Sequence, residues 1–364
     1  MNKALFYKFT LLILVFCVVG EVALRIIHDN NKPFVPSVTK DLIPTLPHNS
    51  DFYSEFNGHK STRYVTGLLG QRVASTELRE VKCELCIFVL GDNQALGWGI
   101  DYQNTLGAIL ANSLLGDGGK SRILASPRLD PELARFLVQS YRKKFHDEQL
   151  ISIFILNLAN DLDEMFIGRQ AMFDINVNWL SMNSFLYMYL IMGQDTIFNR
   201  VSSIPMGATP IFSALNADEH ENFIYNAVSS ITKTVHSMPQ AKNNIIVITP
   251  SSEQLLYSIY KKLNINLNSK ADYLKGRNNN SDILTANRQS IGNIKRSAEI
   301  MEKVEKLIEQ QLRPKGFQVI RLSKHLHERE DLVKYINASN SHLTERGNAL
   351  IANIIQQLLR SHNP

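Results

Sequence analysis

Short β-branched or apolar runs alternate along this chain with longer segments whose apolar residues recur three or four apart. The runs read as strands buried on both faces, and the longer segments read as amphipathic helices. Strands are predicted over residues 86–90, 122–125, 152–156, 244–249 and 317–322. Between them, "DPELARFLVQSYRKKF" predicts a helix with Asp130 as N-cap, Pro131 at the first helical position and cations in the last turn. Further helices are predicted in "ADEHENFIYNAVSSITKTVHSM", in "TANRQSIGNIKRSAEIMEKVEKLIEQQL" and in the closing "GNALIANIIQQLLRS". Strand and helix taking turns in this way predicts an α/β domain around a parallel sheet.

Three stretches depart from that pattern. Lys3 and Lys8 precede the run "FTLLILVFCVVG", and apolar residues continue past Glu21 to Ile27. About twenty such residues cross a bilayer, so residues 1–28 read as one transmembrane helix with Met1 in the cytoplasm. A cleaved signal peptide fits the same pattern, and either reading exports the rest of the chain to the periplasmic or cell-surface side. Residues 29–50 carry several prolines and no sustained period, as expected of an extended linker, and the folded domain is expected over residues 51–364. Within it, the segment near 177–215 is apolar over most of a helix, which predicts burial, a docking face or membrane contact. The segment near 263–284 is polar and Asn-rich, which predicts an exposed loop.

Composition narrows the function. Hydrophobic residues at 44% and charged residues at 20% are ordinary for a folded protein. A net charge of +5, not gathered into long basic runs, gives no support to nucleic-acid binding. Cys83 and Cys86 form "CELC"; two small residues leading into a buried strand are the first expectation and a local disulfide the second. No further ligands at zinc spacing accompany them, and no metal or cofactor is expected.

In an open parallel sheet the residues just after each strand face the ligand. Here those residues are "GDNQALGWG" after the first strand, "NLANDLDEM" after the third and "NASNSHLTERGNALIA" near the end. In order and approximate spacing these blocks resemble the SGNH (GDSL-like) hydrolase family, from about Gly67 onward. Flanks such as "TGLLGQR", "GWGIDYQNTLGAILANSL", "LSMNSFLYMYLI" and "IIVITPSSEQL" are similar to its membrane-anchored bacterial branch. The resemblance implies a three-layer α/β/α domain with a central parallel sheet of about five strands. It also implies ester hydrolysis or acyl transfer, in which a serine attacks, a histidine takes its proton and an aspartate three residues earlier orients the histidine.

Block by block, the chemistry is largely missing. Asn93 holds the nucleophile position, and the second block, "ASPRLD", offers Pro127 and no glycine. Asn160 retains the oxyanion position and His342 the base, while Ser339 replaces the triad aspartate. The resemblance therefore implies a catalytically impaired, membrane-anchored, extracytoplasmic domain. It would bind an acylated envelope or exopolysaccharide glycan, or scaffold a partner protein through the apolar segment. The alternative is an active esterase or acyltransferase with a rearranged site using His342 as base, with Ser126, Ser339 and Ser341 as nearby hydroxyls. A purely structural tethered protein, its cleft filled by side chains, is the third reading.

Overall fold

The computed structural model describes residues 15–23, 37–38, 44–54, 62–79, 85–116, 119–126, 129–145, 149–158, 217–239, 241–251, 291–326, 332–336 and 342–362, with isolated positions 161, 162, 165, 254, 255, 257, 258 and 261. Most of the expected anchor lies outside them. Residues 15–23 are helical (α1) and expose Val15, Phe16, Val18, Val19 and Val22. Among the described residues no helix is long and apolar enough to cross a membrane. The segments near 177–215 and 263–284 also lie outside the described residues.

All five predicted strands form, as β6 (Cys86–Gly91), β7 (Lys120–Ala125), β8 (Gln149–Asn157), β9 (Ala241–Thr249) and β10 (Gln318–Arg321). They pair in parallel in the order β10-β9-β8-β6-β7. The sheet nevertheless has eight strands rather than about five. Three antiparallel strands extend it beyond β7: β5 (Arg72–Val73), β4 (Thr62–Thr66) and β3 (Asp51–Ser54). A separate two-stranded pair, β1 (Ser37–Val38) and β2 (Pro44–Thr45), precedes them, and Leu46 in the expected linker is fully buried.

Every residue of β6 is buried, because its alternating side chains enter two different cores. Phe88 and Leu90 point into one, with Leu133 and Leu137 of α4 (Pro131–Lys144), Ile231 of α5 (Ala217–Ser237) and Met301 of α6 (Ile291–Leu312). Ile87 and Val89 point into the other, with Leu106 and Leu110 of α3 (Leu106–Leu115), both ends of the short α7 (Leu322–Leu326), and Ile351 and Ile355 of α8 (Glu345–His362). Helices thus cover both faces, giving three layers. Asp130 caps α4 as the sequence predicts, its Oδ1 accepting from the Leu133 N–H at 2.8 Å. Cys86 is disulfide-bonded, in a chain of three cysteines of which Cys17 is free. The cysteine that opens β6 is therefore both fully buried and cross-linked, so a disulfide, the second expectation, holds at Cys86.

Candidate functional site

Strand β6 ends at Gly91, where the chain must pass very close to β8. A Cβ at this position would meet the Ile155 carbonyl oxygen at 2.5 Å, and φ is +152°. Only glycine fits both constraints. Asp92 then caps a single helical turn, α2 (Asn93–Leu96), accepting from the Gln94 N–H at 2.8 Å through Oδ1. Its Oδ2 accepts from Nδ2 of Asn157, the last residue of β8, at 3.1 Å. Asp92 is 1% exposed and acts as the turn's internal acceptor. Gly97 closes the turn in the left-handed conformation at φ +67°.

A buried arginine holds the underside of this turn. Arg72 of β5 is fully buried; its Nη1 donates to the carbonyls of Leu96 (2.8 Å) and Gly97 (3.0 Å), and its Nη2 to Ile100 (2.8 Å). The guanidinium lies 4.3 Å from the Tyr64 ring centroid, and the Tyr64 hydroxyl accepts from the Gly99 N–H at 2.9 Å. Burial pushes the Arg72 pKa down, and the neighbouring tyrosines oppose that shift. Arg72 is the last residue of the flank "TGLLGQR", whose local pattern carries no signal for this role.

The third component comes from the other end of the chain. An antiparallel bridge joins Ile336 to Leu343, the residue after His342, and Thr344 Oγ1 accepts from the Gly347 N–H as α8 begins. Asn104 Nδ2 donates to Glu345 Oε1 at 2.9 Å, and Asn348 Nδ2 to the Asn104 carbonyl at 3.1 Å. These bonds fix the start of α8 against the segment that follows the β6 turn. His342, 6% exposed, is thereby brought to Asn93 across 249 residues of sequence, with Asn93 Nδ2 2.8 Å from His342 Nε2. An amide Nδ2 can only donate, so Nε2 accepts and the imidazole proton sits on Nδ1. Asn93 Oδ1 is buried and has no hydrogen-bond partner among the described residues.

Asn93 and His342 are therefore brought together. Asn160, Ser339, Ser341, Pro127 and Arg128 lie outside the described residues. Ser126 is fully buried, with its carbonyl accepting from the Leu129 N–H. Chemically, the pair cannot start acyl transfer: the amide nitrogen of Asn93 is delocalised and not nucleophilic, and the lone pair of Nε2 is engaged by it. Among the described residues no group of His, Cys, Asp or Glu could hold a metal ion.

No family model matches the chain, and no curated protein matches it. Among solved structures it is similar to a member of the lipolytic protein G-D-S-L family from Veillonella parvula DSM 2008, at 10% sequence identity and a TM-score of 0.39, over 74% of this chain and 94% of that chain. On its own geometry the chain is an α/β protein with a mostly parallel sheet, whose β6 turn meets a histidine from the C-terminal loop.

Proposed function

We propose that this protein is a catalytically silent SGNH-hydrolase-like domain, anchored in a membrane and exposed outside the cytoplasm, whose old cleft binds an acylated envelope or exopolysaccharide glycan. The observation that carries the reading is the 2.8 Å bond between Asn93 and His342. It has the geometry of a nucleophile and its base, with an amide where the attacking oxygen belongs. The buried, unpartnered Oδ1 of Asn93 supports a binding role, because it is an acceptor that a ligand hydroxyl can meet. The disulfide at Cys86 fits an oxidising compartment, which agrees with export.

The active-esterase reading has less support. His342 Nε2 is already engaged by Asn93, and Ser126 is fully buried. The test is paired: the full chain in detergent is assayed on short acyl esters and presented to an array of acylated and deacylated glycans. Background turnover with retention of acylated glycans is expected. Turnover abolished by His342→Ala would replace this reading with the active-enzyme one, and the absence of both turnover and glycan retention would leave only a scaffold.

A further inference from the structure

A second cleft lies at the far edge of the sheet, at the carboxyl end of β10. It encloses about 250 Å³ between α6 and the segment that carries Gln254, Tyr257 and Lys261. Strands β9 and β8 separate β10 from β6, so at ~4.8 Å per strand this cleft stands roughly 14 Å along the sheet from the Asn93 turn. Carboxyl ends of parallel strands are where open α/β sheets take ligands.

Arg321, the last residue of β10 and 5% exposed, forms part of its wall. Its Nε donates to Glu305 Oε2 at 2.7 Å. Glu305 is itself fully buried and also accepts from Ser323 Oγ and from Gln254 Nε2, each at 2.9 Å. Three donors thus surround one carboxylate, and the guanidinium is oriented in advance. The remainder of its fork is loosely held, with Nη1 3.4 Å from Glu309 and Nη2 3.9 Å from Glu302.

Those two carboxylates have closer partners: Lys306 lies 2.9 Å from Glu302, and Arg313 lies 2.7 Å from Glu309. Glu299, on the same wall, has Lys295 at 3.9 Å. With each carboxylate matched to a closer cation, Lys324 and Lys261 add positive charge to the cleft wall: Lys324 is 3.5 Å from Glu309, and, after the Lys306 bond, the charge of Lys261 helps to hold the Glu302 carboxyl below its ordinary range. Two ammonium groups therefore line the same cleft as a pre-oriented guanidinium, with Tyr257 as an aromatic residue of its wall.

We propose that this cleft is a second binding site, independent of the Asn93 turn, for a small hydroxylated molecule bearing an oxyanion. The planar fork of Arg321 and the charges of Lys261 and Lys324 take the carboxylate or phosphate. Tyr257 lies against the carbon skeleton. A volume below the roughly 300–1,000 Å³ of drug-sized pockets restricts the ligand to one sugar-sized unit.

Calorimetric titration of the full chain with gluconate, glucose 6-phosphate and glucose tests this. At least one of the two anions is expected to bind and glucose to give no heat; whichever anion binds more tightly identifies the anionic group as carboxylate or phosphate. Lys261→Gln with Lys324→Gln is expected to weaken binding about tenfold or more with an unchanged melting temperature, and Asn93→Ser to leave it unaltered. Heat from neither anion, equal binding of glucose, or affinity unmoved by the double lysine variant would overturn the proposal. Loss of binding in Asn93→Ser would overturn its independence from the β6 turn.

Discussion

Replacing Arg72 by methionine tests whether the β6 turn is held from beneath. Methionine fills much of the same volume, yet takes the Arg72 donor from the buried carbonyls of Leu96 and Ile100 and leaves Gly97 with only the Ile100 N–H. An unsatisfied buried polar group costs about 1–3 kcal/mol, and two would cost about twice that if nothing moved. Removing a buried charge returns part of its desolvation cost, and the turn can relax toward water, so the net loss is expected at about 3–5 kcal/mol. Lysine in its place retains the charge but not the fork, and is expected to restore less than half. Denaturant unfolding followed by circular dichroism measures the loss, and the indole fluorescence of Trp98 in the turn reports its local repacking. A change below about 1 kcal/mol for Arg72→Met would refute the clamp.

Three further outcomes follow from the same geometry. Burial lowers the pKa of His48 from its ordinary 6.5, so the unfolded chain takes up its proton first as pH falls. Stability is therefore full above that ordinary value and declines as pH drops through it toward the folded pKa, and His48→Gln is expected to flatten that part of a melting-temperature profile. Glu305→Ala removes the shortest ion pair of buried Arg321 and leaves it only the longer contacts to Glu309 and Glu302, so it is expected to cost about 3 kcal/mol by chemical denaturation, whereas Glu305→Met with Arg321→Met is expected to cost much less. Gly347→Ala would drive a Cβ into the Tyr335 carbonyl at the base of the His342 loop, so the chemical shifts of the His342 ring are expected to move while the sheet amides stay put.

Much of the fold is written locally. Strand β6 reads "CIFVLG" and is buried along its whole length, and Asp130 with Pro131 states where α4 begins. The antiparallel extension was not legible: "TRYVT" contains exposed Arg63, and β5 is two residues long, so neither presents a periodic pattern. The role of Arg72 was not legible either, because burial of its guanidinium depends on carbonyls 24 to 28 residues away, which no local rule reports. The disulfide at Cys86 was held second because an extended backbone places neighbouring cysteines too far apart. The Asn93–His342 contact spans 249 residues and was reached only through the order of the blocks, whereas Asn157, inside the quoted "NLAND", was overlooked as the partner of Asp92.

The central claim is that the frame of a hydrolase site survives with its attacking atom removed. Turnover of a generic acyl ester by the full chain, by Asn93→Ser and by Asn93→Ser with Ser339→Asp measures this directly. The account predicts background rates for the natural protein, detectable turnover for the single variant, and up to about 10⁴-fold more once the carboxylate is restored. His342→Ala is predicted to abolish all of it. His342-dependent turnover by the natural protein, or silence in both restored variants despite native folding, would contradict the account.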